Sequence, residues 1–119
     1  MLILTTDIKT LAEPLCNELR HLNITLVRVR YDGSDYDGDI KTLQLFDYEN
    51  IDISDLSPHG IIRQTSTLFL DILHEYDPLW DAEEGSFGSF DWDLLQRTLH
   101  HEHNKRYIDH TTDDCDIEF

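Results

Sequence analysis

The feature that most constrains the fold is a block of alternating residues around a glycine–aspartate break. Residues 24–31, ITLVRVRY, place Thr25, Val27, Val29 and Tyr31 on one side and Leu26, Arg28 and Arg30 on the other. A period of two is that of a half-buried strand. The stretch DGSDYDGD then interrupts the pattern with two glycines and four aspartates, and IKTLQLF at 40–46 reads as the return strand. Such a break between two alternating runs predicts a hairpin.

Helical periodicity flanks the hairpin. Ile8, Leu11, Ala12, Leu15, Cys16, Leu19 and Leu22 recur at three- and four-residue steps, predicting an amphipathic helix over about Thr6 to Leu22. Pro14 falls inside it, which predicts a kink or a helix that begins near Pro14. Residues 47–57 are acidic and irregular. Ser57-Pro58 forms a helix start with Ser57 as N-cap, and a second helix runs to about Tyr76, burying Ile61, Ile62, Leu68, Phe69, Ile72 and Tyr76. Asp77-Pro78 ends it. WDAEEGSFGSFDWD leads into a strand near 86–93, a turn covers 94–97, and a last strand lies near 98–108.

The order α-β-β-α-β-β predicts an α+β fold of two layers: an antiparallel sheet of about four strands with two helices on one face. The expected organisation is one domain over 1–110 and an acidic C-terminal tail over 111–119. Cys16 is expected in the core, whereas Cys115 lies in that tail. No run reaches the ~18–20 apolar residues of a membrane span, and the N-terminus lacks the basic region of a signal peptide. The expected location is cytoplasmic.

Twenty-five acids against nine bases give a formal charge of −16. The acids cluster. Asp32 to Asp55 holds eight carboxylates with Lys41 as its one lysine or arginine, and Asp71 to Asp93 holds eight more with none. This surplus repels nucleic acid and anionic membranes and attracts basic surfaces. The expected partner is therefore a basic surface of another protein, with no direct nucleic acid and no membrane. The candidate binding residues are Asp32, Asp35, Asp37, Asp39, Asp77, Trp80, Asp81, Glu83 and Glu84.

Two segments with metal-ligand chemistry need weighing. With Gly38 at the sixth position of an EF-hand loop, Gly33 falls at the first and Gln44 at the twelfth, so the aspartate loop lacks the calcium pattern. On a strand, His101 and His103 would share a face and could supply two ligands, although no H-E-x-x-H or C-x-x-C accompanies them. No cofactor is expected. The serines lie outside any G-x-S-x-G elbow, and Gly85-x-x-Gly88 reads as a turn or bulge signal. Of Trp80, Phe87, Phe90 and Trp92, the strand residues are expected in the core and Trp80 as a partly exposed anchor.

Tyr31-Asp32-Gly33-Ser34 followed by Asp37-Gly38-Asp39-Ile40 resembles the Y-D-G-S-G-D-S-G-x-I hairpin of a family of small uncharacterised bacterial and phage proteins. Trp80 followed by Glu84-Gly85-Ser86-Phe87-Gly88 is similar to its W-x-x-x-x-G-x-x-G stretch. His101-Glu102-His103-Asn104 with Arg106-Tyr107 resembles its L-E-H-N-x-R-Y ending. The resemblance spans most of 24–110 and implies a fold of this kind without supplying an activity.

Three expectations of function follow. The first is an acidic binding module, of the kind phage inhibitors use against CRISPR or restriction enzymes by imitating nucleic-acid charge. A toxin-neutralising immunity protein or adaptor is the second. The third is a metal-dependent enzyme using His101 and His103.

Overall fold

The computed structural model describes residues 2–3, 6–106 and 111–118, with side chains over 8–106 and at Asp116 and Ile117. The elements in chain order are β1 (Leu2–Ile3), α1 (Thr6–His21), β2 (Ile24–Ser34), β3 (Asp37–Asp47), a 3-10 turn (Ser54–Leu56), α2 (His59–Tyr76), β4 (Ser86–Asp93), β5 (Thr98–Lys105) and β6 (Thr111–Glu118). The sheet order is β1-β6-β5-β4-β2-β3. All neighbours are antiparallel except β1, which joins β6 in parallel through two residues. None of the described helices is long and apolar enough to cross a membrane.

The two-layer α+β expectation holds, and the number of strands is corrected from about four to six. The segment expected as an acidic tail carries β6, and β1 was not foreseen. The reason is that β6, TTDDCDIE, gives too little apolar signal to read as a strand, with Cys115 and Ile117 as its only apolar residues. Ladder hydrogen bonds to β5, rather than its own side-chain pattern, define it.

Cross-strand register explains the core. Leu45, Val27, Trp92, Leu99 and Ile117 form a row over five strands, and every member is buried. The next row runs Leu43, Val29, Phe90, His101 and Cys115; the one after runs Ile40, Tyr31, Gly88, His103 and Asp113. Directly opposed residues share a face of the sheet. Ile8, Ala12, Leu15, Cys16 and Leu19 of α1 and Leu68, Phe69, Ile72 and Leu73 of α2 join the same core. Each large apolar side chain fully removed from water contributes roughly 1.5–3 kcal/mol.

Several local expectations are revised. α1 begins at Thr6 and runs through Pro14, whose side of the helix is exposed; Leu11 is exposed too, at 56%. Pro58 occupies the N-cap position of α2, and the Ser57 hydroxyl instead donates to the Ile53 carbonyl at 2.9 Å. Both hairpin strands extend into the glycine–aspartate stretch, leaving only Asp35 and Tyr36 as the turn, with φ of 54° and 62°. Two consecutive positive φ values match the two-residue turn whose twist suits a hairpin.

Candidate functional site

The hairpin end of the molecule assembles from three separate stretches of sequence. Gly33 and Gly38 face each other in the ladder, and their missing side chains create a slot for the Trp80 ring. A Cβ on Gly33 would lie 2.7 Å from Trp80 Cζ3, and one on Gly38 would lie 2.8 Å from the same atom. Trp80 is consequently 2% exposed. The expectation of a partly exposed anchor is overturned, because the glycines that signalled a loop are the socket that buries it. Ser86 reinforces the arrangement by donating its hydroxyl to the Trp80 carbonyl.

The 77–85 loop carried by Trp80 then binds the hairpin turn. Asp35 N–H donates to the Glu83 carbonyl and Tyr36 N–H to the Asp81 carbonyl, both at 2.8 Å. These two bonds bring the Asp35–Asp39 part of one acidic cluster beside the Asp81–Glu84 part of the other. Asp35, Asp37, Asp39, Glu83 and Glu84 are exposed and Asp81 half-buried, around Tyr36, which is 71% exposed. Two other candidates are engaged internally. Asp32 pairs with Arg106 at 2.8 Å, and that guanidinium also donates to the Gly33 carbonyl. Asp77 accepts from Lys105 at 3.0 Å and lies 3.4 Å from His103 Nε2. Tyr36, Asp77, Glu83, Glu84, Lys105 and Arg106 also line a cavity of about 250 Å³.

Behind this surface runs a buried polar chain. Tyr31 on β2 reaches across β4 because Gly88 has no side chain there; a Cβ would stand 2.5 Å from the Tyr31 hydroxyl oxygen. That hydroxyl meets His101 Nε2 at 2.7 Å and His103 Nδ1 at 2.5 Å. Tyr31, His101 and His103 are all at most 2% exposed. One hydroxyl carries one proton, so it donates to one ring and accepts from the other. A proton on His103 Nε2 faces the Asp77 carboxylate, which makes His103 Nδ1 the acceptor and His101 Nε2 the donor. The proton order is then His101 to Tyr31 to His103 to Asp77, with Lys105 at the outer end.

Electrostatics agree with this assignment. Burial, and then the neighbouring charges of His103 and His100, push the His101 pKa down to about 3, so its imidazole is neutral. For Asp77, burial works against ionisation, but hydrogen bonds from Lys105 and the Leu79 N–H, the Lys105 charge and the His103 contact hold its carboxyl below the ordinary value. Phe90 stacks on His101 with ring centroids 4.1 Å apart, and Tyr76 meets both histidines edge-on.

No family model, curated protein or solved structure matches this chain. Its own geometry must carry the reading. Residues quoted from the three resembling segments do meet in space: Tyr31, Gly33, Gly38, Trp80, Gly85, Gly88, His103 and Arg106 all belong to this one assembly. Gly85, at φ 77°, packs against the Gly33 carbonyl, and its own carbonyl accepts from Arg106 N–H.

His103 has a contact at each ring nitrogen, from Tyr31 and Asp77. Among the described residues no three His, Cys, Asp or Glu side chains converge as a metal site. Sequence reasoning also missed Tyr31 as the hub and Lys105 and Arg106 as the internal counter-charges. The signal available was the position of Tyr31 in register with a glycine, which becomes legible only once the strands are paired.

Proposed function

We propose that this chain is an acidic binding module that acts by docking rather than by catalysis, and that its target is a basic surface on a protein that handles nucleic acid. The observation that carries this reading is the pair of backbone hydrogen bonds joining Asp35 to Glu83 and Tyr36 to Asp81. They merge carboxylates from distant parts of the chain into one end of the molecule, beside an exposed aromatic ring. Aromatic anchors within a charged rim are a common form of binding hot spot.

The charge density is of the right order for imitation of a nucleic acid. The Cα radius of gyration is 14.2 Å, which corresponds to a body about 35 Å across. B-DNA of that length carries about 20 phosphates, at one per ~1.7 Å. The net charge of −16 is comparable. Electrostatic steering would set the rate and orientation of encounter, and desolvated contacts at Tyr36 would hold the complex.

The test compares the native chain with a variant carrying Asp35→Asn, Asp37→Asn, Asp39→Asn, Glu83→Gln and Glu84→Gln, both immobilised in host extract and analysed by mass spectrometry. Basic nucleic-acid-handling proteins should be retained by the native chain only, released by moderate salt and displaced by duplex DNA. Equal retention on both forms, or retention indifferent to salt and DNA, sinks the reading.

A further inference from the structure

The end of the sheet away from the hairpin turn carries a cavity of a different character. β4 starts beside the hairpin at Ser86, which pairs with Gly33, and reaches the far end at Asp93. There α1 and the turn between β4 and β5 border a cavity of about 160 Å³, lined by Lys9, Ala12, Glu13, Cys16, Trp92 and Arg97. The four α1 residues recur at three- and four-residue steps, which sets them on one helix face. Ala12, Cys16 and Trp92 are buried and form the floor; Lys9 is half-buried and Glu13 and Arg97 are exposed, so the charge sits at the mouth. An apolar cavity of about 150 Å³ holds one benzene ring.

Floor and mouth differ in chemistry. Burial raises the Cys16 pKa above its ordinary 9.0, and the charges of Arg97 and Arg20 only oppose that rise, so the thiol stays protonated. It is a soft, neutral wall beside the indole of Trp92. Two of the nine bases in a chain of charge −16 meet at the mouth with a single carboxylate, a local positive excess. Arg97 holds its place at φ 56°, a left-handed conformation that glycine or asparagine usually supplies.

We propose that this cavity binds a small carboxylic acid with one ring, the ring on the Ala12–Cys16–Trp92 floor and the carboxylate between Lys9 and Arg97. An apolar body fixed by a few polar groups is the general form of a small-molecule site, and a guanidinium meets a carboxylate through paired hydrogen bonds. Glu13 sets the charge accepted: two cations against one carboxylate favour a monoanion over a dianion. The site is separate from the acidic hairpin end and does not depend on the binding reading above.

The probes are benzoate and phenylacetate, with benzamide as the neutral comparison and phenyl phosphate as the doubly charged one. Each is titrated into the full chain and followed by amide and indole chemical shifts. The expected result is saturable binding of both carboxylates, with shifts at the Trp92 indole and at the amides of 12–16 and 96–98, and weaker binding of both comparison compounds. Arg97→Gly should keep or raise the unfolding temperature, since glycine takes this φ freely, yet weaken benzoate binding about tenfold. Glu13→Gln should narrow the preference for benzoate over phenyl phosphate. Neither carboxylate binding, shifts centred on exposed bases elsewhere such as Arg30 and Arg63, or a folded Arg97→Gly that binds benzoate as the native chain does, each overturns the proposal. Equal affinity for benzoate and benzamide overturns it too, since the cations would then play no part.

Discussion

At the scale of single residues, Tyr31 is the position on which most depends. Its hydroxyl serves two imidazoles from a strand one removed from its own. Tyr31→Phe keeps the ring and its edge-on contact with Trp80 but leaves buried nitrogens with a lost partner. Losing such a partner costs about 1–3 kcal/mol, so urea denaturation should show a loss of that size with an unchanged slope. A change within error would mean that the histidines satisfy one another without the hydroxyl.

Asp77 gives the acid dependence at the same scale. Its folded pKa lies below the ordinary 3.8. A depressed carboxylate pKa contributes stability that is complete above the unfolded pKa and disappears as pH falls through the folded one. The stability gap between the native chain and Asp77→Asn should therefore be largest near neutrality and shrink below about pH 4. Chelator-treated protein unfolded by denaturant at several pH values measures this. A gap that stays constant to about pH 3 would place the ion pair with Lys105 outside the energetics of folding.

At the scale of elements, the 77–85 loop and the β2–β3 hairpin form a single cooperative unit. Trp80 lies against Gly33 and Gly38, and the loop accepts the two turn amides. Trp80→Ala removes a fully buried aromatic, for which losses of about 3–5 kcal/mol are typical. More tellingly, the Asp35 and Tyr36 amides should lose hydrogen-exchange protection ahead of the amides of β4. Uniform loss across the sheet would indicate instead that the hairpin end is held by its own ladder. The glycines explain why this unit was hard to read. As sequence they mark a loop, and only the arrival of a tryptophan from more than forty residues away turns them into strand.

For the whole molecule, the charge of −16 sets a repulsive background. Among the described residues Asp32 pairs with Arg106, Asp77 with Lys105 and Asp91 with Arg28. The exposed acids at the hairpin end face solvent. Raising ionic strength shortens the Debye length from about 30 Å at 0.01 M to about 8 Å at 0.15 M, shorter than the radius of gyration of 14.2 Å. The unfolding temperature should therefore rise with sodium chloride over this range, with most of the gain complete by the upper concentration. A fall would show that internal ion pairs outweigh the repulsion.

Local chemistry alone settled the helices, the two hairpin strands and the acidic surplus. Periods of 3.6 and 2 are written in neighbouring residues, and charge is additive along a chain. It could not reveal that Trp80 is buried and Asp77 half-buried, that Tyr31 meets His101 and His103, or that TTDDCDIE is a strand. Each of these depends on register between segments far apart in sequence. A glycine in such a register is an absence whose use is fixed by what packs into it.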